Sequence, residues 1–83
     1  MNADAAWTEL MAIATRFARG DAELDELYAE SMRYFDDHSG PMPVAHRRLL
    51  EEVRFVWHAL ESGKLRADDR ERLMTSLLAQ IRV

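Results

Sequence analysis

Tyr34–Arg48 reads YFDDHSGPMPVAHRR. The stretch holds two of the chain's three histidines, an aspartate pair and both prolines, and it admits two readings. In one, Asp36, Asp37, His38 and His46 offer oxygen and nitrogen ligands to a hard or borderline metal ion. In the other, one helix stops here and the next begins. The ligand reading lacks a recognisable spacing, because the two histidines flank an irregular run rather than sharing a helical turn. The boundary reading has a mechanism. Glycine supplies backbone freedom, while proline removes a donor and keeps the residue before it out of the helical region. Pro43 suits the first position of a helix, where its missing N–H costs nothing. We read the stretch as a boundary, with no metal and no cofactor.

Helical periodicity runs outward from that boundary in both directions. Upstream, Leu24, Leu27, Tyr28, Ser31, Tyr34 and Phe35 form one stripe, with Asp21 placed to cap its start. Before it, Trp7, Leu10, Met11, Ala14, Phe17 and Ala18 form another, stopped by Gly20, which takes positive φ without steric cost. Downstream, Leu49, Leu50, Val53, Val56, Trp57 and Leu60 make a third stripe, ended by Ser62-Gly63. The last comprises Leu73, Met74, Leu77, Leu78 and Ile81, with Asp68 and Glu71 at capping-box spacing. Strand alternation and hairpin turn pairs are absent. The expectation is one all-α domain over 1–83, a compact antiparallel four-helix bundle with short loops and helices at about 4–19, 22–37, 43–62 and 69–82.

Composition narrows the class. A chain of 83 residues with 48% hydrophobic content holds one small core. The absence of cysteine removes disulfides, thiolate zinc sites and thiol nucleophiles. No apolar run approaches the roughly 20 residues that span a bilayer, and the N-terminus lacks a signal-peptide pattern. These features predict a soluble cytoplasmic protein without membrane contact.

Catalytic chemistry finds little to build on. Ser31, Ser39, Ser62 and Ser76 fall in helix bodies or turns, outside any strand–turn–helix elbow. The glycines stand singly, so no phosphate-cradling loop exists. His58 and Glu61 lie three apart on one helix, but a di-iron bundle needs Glu-x-x-His on two helices. Without a nucleophile, base and oxyanion set, the expected protein is not an enzyme.

The charge distribution is more informative. The net charge of −4 divides into −6 over residues 1–41 and +2 over residues 42–83. Asp21, Glu23, Asp25, Glu26, Glu30, Asp36 and Asp37 crowd the second helix and its approach, with Arg33 as the one counter-charge. The helix dipole accounts for acids in the first turn, whereas Glu26 and Glu30 repel one another four residues apart. A field of one sign speeds encounter with a basic partner; it also serves plain solubility. Direct nucleic-acid binding is disfavoured, since the bases of the second half alternate with acids and lack interleaved aromatics. Helix three carries Val53, Phe55, Val56 and Trp57, too many apolar residues for one narrow face. They suit a helix touched on two sides or, alternatively, a homodimer surface.

The run LMAIATRFARGDAELDELYAESMRYF, Leu10–Phe35, resembles the opening of colicin D-type immunity proteins, and LRADDRERLMTSLLAQI, Leu65–Ile81, is similar to their final helix. SGPMP and the basic start of helix three depart from that pattern, and no toxin-contacting residue transfers by match. The resemblance implies a short helical bundle that plugs the basic RNA-binding active site of a nuclease toxin. The seven acids would then be the contact face. A phage-type inhibitor or adaptor of a nucleic-acid enzyme uses the same electrostatics and stays open, as does a structural homodimer.

Overall fold

The structure, a computed structural model, describes residues 3–38 and 41–81, with side chains from Ala5 onward. Ser39, Gly40 and Arg82 of the expectations above lie outside the described residues. Four helices follow one another: α1 Ala3–Ala18, α2 Leu24–Asp37, α3 Val44–Glu61 and α4 Ala67–Ile81.

Each boundary has a local cause. Gly20 sits at φ +83° and Gly63 at φ +70°. Their N–H groups bond Phe17 and Leu60 carbonyls, at 3.0 and 3.1 Å. The following N–H groups, of Asp21 and Lys64, reach back to Arg16 and Ala59, both at 2.8 Å. This paired closure is the Schellman motif, and it ends α1 and α3 alike. The start of α2 corrects the role expected of Asp21. α2 starts at Leu24 with Glu23 as its N-cap, so Asp21 lies two residues upstream of the cap position and does not cap the helix. Glu23 holds that position in extended conformation (φ −85°, ψ 158°), and Glu26 Oε2 accepts its N–H at 3.2 Å.

The other two starts shift as well. Pro43 lies just outside α3 as its N-cap, not inside as its first residue, and its carbonyl accepts the Arg47 N–H at 3.0 Å. At α4 the back-bond comes from Asp69, whose Oδ2 accepts the Arg66 N–H at 3.2 Å. The expected Asp68–Glu71 pair is displaced because Asp69 faces inward, buried beside that N–H, while Asp68 points to solvent.

Short loops place the helices in a closed square. α1 packs on α2 and α4, and α3 packs on α2 and α4; across one diagonal, α1 and α3 meet through the rings of Trp7 and His46. Chain direction alternates: the start of α1 meets the end of α2 through Trp7 and Tyr34, and the start of α2 meets the end of α3 through Tyr28 and Trp57. The fold is an all-α antiparallel four-helix bundle. Its radius of gyration is 12.1 Å, close to the roughly 12 Å of a folded chain this long.

Leu10 and Ala14 of α1, Leu27 of α2, Val53 of α3 and Leu73 and Leu77 of α4 fill the centre. Ser31 is also fully buried, its Oγ donating to the Leu27 carbonyl at 2.8 Å, so the hydroxyl enters the core with its donor satisfied. Ser76 Oγ donates to Glu52 and ties α4 to α3.

Three residues expected to face inward do not. Phe35, Leu60 and Leu78 are 57%, 38% and 40% exposed. Phe35 follows buried Tyr34 by one residue, and the 100° step carries it past the edge of the core. Helix α3 is no more central than its neighbours, and Phe55 stands outside at 57% exposure with Val44 at 67%.

Candidate functional site

The seven acids take different places on and around α2. Asp21 lies in the α1–α2 loop, where its carbonyl accepts from Arg16 Nη2 at 3.2 Å. Glu23 and Glu26 form the helix start described above. Asp25 Oδ1 accepts the Trp57 indole N–H at 3.1 Å, fixing a ring that stacks on Tyr28 with centroids 4.1 Å apart. Arg33 lies 3.6 Å from both Glu30 and Glu9 of α1. The expected Glu26–Glu30 repulsion is thus relieved on both sides, by the capping role of one and the ion pair of the other. Asp36 and Asp37 have no ion pair or hydrogen bond among the described residues and project into solvent.

The helix turn sorts these groups into two flanks. Asp25 and Asp36 stand on the side toward α3. Glu26, Glu30 and Asp37 stand on the side toward α1. All seven are exposed except Glu30, which is half-buried, so the acidic face exists as a surface. Part of it also holds the bundle together, a division the sequence pattern does not show.

The histidines of the opening stretch belong to a separate aromatic cluster at the end of the bundle where α1 starts, α2 ends and α3 starts. The His46 ring stacks on Trp7 at a centroid distance of 3.5 Å and an 8° tilt, and its Nδ1 is hydrogen-bonded to the Tyr34 hydroxyl at 2.9 Å. His38 caps α2 through its N–H to the Tyr34 carbonyl, 3.0 Å, and its ring Nε2 lies 3.0 Å from the Pro41 carbonyl. Burial, and secondly the nearby His38, pull His46 below its ordinary value of 6.5. The arrangement holds the imidazole between an indole face and a phenol. Sequence reading treated these residues as punctuation and missed their meeting. The one signal available was positional: in an up-and-down bundle, those three helix ends share one end of the molecule.

His58 is exposed, its ring set edge-on to Trp57 with centroids 5.2 Å apart. Among the described residues, no three His, Asp or Glu side chains gather as a metal would require, and no helix is long and apolar enough to cross a membrane. Searches against models of known protein families, curated proteins and solved structures return no match to this chain.

Proposed function

We propose that this chain is a protein-binding module that docks the acidic face of α2 on a basic partner. The partner is a nuclease-like protein whose active site it covers, as the resemblance to immunity proteins implies. The observation that supports this reading is the exposed row of carboxylates on α2, in which Arg33 is the one base. Glu26, Glu30 and Asp37 form its flank toward α1, and the Asp37 side chain makes no ion pair or hydrogen bond among the described residues. Such a row holds negative potential over a surface that a phosphate-binding cleft would match.

The reading is tested by capture on the immobilised chain at low and at high salt, followed by nuclease assays on the recovered protein. The expected result is a basic nuclease, released at high salt because screening weakens exposed charge pairs and inhibited on adding the chain. The variant E30K/D37K leaves the Glu23–Glu26 start and the Asp25–Trp57 bond intact. It should weaken inhibition roughly tenfold or more, since like charges facing across an interface cost several kcal/mol. Inhibition unchanged by the double reversal would sink the proposal.

A further inference from the structure

Two large aromatic side chains stand in solvent on adjoining helices. Phe35 of α2 and Phe55 of α3 are each 57% exposed. Phe35 lies in a groove between these helices with Met32, Met42 and Leu50. Phe55 lies on the α4 side of α3, in a separate groove with Glu52, Asp69 and Leu73. An apolar groove with an exposed aromatic ring, such as the one that holds Phe35, marks an interaction surface on a small domain.

Charges of both signs border the groove. Asp36 borders it on α2, and Arg47 and Arg54 border it on α3, with Glu51 between the two arginines. Among the described residues none of these four makes an ion pair or a side-chain hydrogen bond; the ion pairs found join Arg33 to Glu9 and Glu30. Charges of both signs thus flank one apolar surface and stay unpaired within the chain.

We infer that this surface binds a second copy of the chain, with α2 of each protomer lying along the outer face of α3 of the other. The charge pattern selects that register. About a two-fold axis parallel to the helices, contact of α2 with its own copy would bring Asp36 against Asp36, and contact of α3 with its own copy would bring Arg47 against Arg47. A two-fold axis parallel to the helices puts α2 over α3 twice, which is the self-complementary arrangement a symmetric dimer requires. Because the axis preserves height along the bundle, Asp36 meets Arg47 of the second copy at the α2–α3 loop end. Phe35 is then covered. The flank formed by Glu26, Glu30 and Asp37 stays outside the contact, so the dimer does not compete with the proposed binding face.

The test is sedimentation equilibrium of the full chain up to the millimolar range at low salt, with thermal melts as a folding control. Wild type is expected to dimerise, and Phe35→Glu to remain monomeric with an unchanged melt, because the ring is mostly in solvent. D36R and R47D should each weaken association roughly tenfold or more, since each places like charges face to face. Mixing the two single variants should restore it, because every cross-contact is then of opposite sign. E30K/D37K should dimerise as wild type does, which separates this surface from the proposed partner face. A wild-type monomer at every concentration, or a dimer indifferent to Phe35→Glu and to both reversals, overturns the inference.

Discussion

Gly20 and Gly63 show how much of this fold rests on single backbone angles. A Cβ added at either would meet no heavy atom within 4 Å, so Gly20→Ala tests conformation alone. The left-handed angle should make it cost about 1–2 kcal/mol. For a domain of this size that is a fall in Tm of roughly 4–16 °C, about 4–8 °C per kcal/mol, readable by circular dichroism; Gly20→Asn should recover part of it. His46 makes a second prediction at this scale. Its folded-state pKa lies below 6.5, so between that lowered value and 6.5 the unfolded chain binds more protons than the folded one. The His46 contribution to stability is therefore complete above pH 6.5. It declines as pH falls through the window, and stays reduced below it. His38 opposes the charged form, whereas stacking on Trp7 favours a cation and narrows the window. Urea midpoints across this range should fall less for His46→Leu than for wild type, and an equal fall would remove His46 as the cause. Tyr34→Phe deletes the hydroxyl bonded to Nδ1 and should cost about 1 kcal/mol.

At the scale of the element, helix stops were legible and helix starts were displaced by one or two residues. A stop of this kind needs one residue type, because glycine alone takes the left-handed angle cheaply. A start can be capped by any of several nearby acids, and the choice depends on which one faces the chain. Asp21 lies upstream of the cap position, Glu23 and Glu26 hold it, and Asp69 is preferred to Asp68 because it faces inward. Glu26→Ala should accordingly cost about 1 kcal/mol through the lost bond to the Glu23 N–H, whereas Asp37→Ala should change the urea midpoint little. If both substitutions proved equally silent, the capping assignment at Glu23–Glu26 would be wrong. The acidic helix was also legible as a row, since a run of carboxylates needs no geometry to be seen. Its division into caps, an indole acceptor, an ion pair and free charge was not.

At the scale of the molecule, the core is narrow and depends on few side chains. Leu27 is completely buried where α2 meets its neighbours, and Leu27→Ala should cost about 2–5 kcal/mol through lost transfer free energy and the cavity left behind. Against a total of roughly 5–15 kcal/mol for a native domain, that is a large share and should lower the urea midpoint markedly; a midpoint shift as small as that of an exposed alanine substitution would refute the packing. Four apolar stripes at helical spacing, separated by glycine and proline, were enough by themselves to determine the helices, their order and the antiparallel sense that short loops impose. Periodicity reports which side of a helix is apolar to within about one residue step, 100°, and no better. Whether Phe35 and Phe55 at the stripe margins were inside or outside therefore depended on which neighbours the square arrangement gave each helix. The meeting of Trp7, Tyr34 and His46 is of the same kind. Those residues are remote in sequence, and only the packing of three helix ends brings an indole, a phenol and an imidazole into contact.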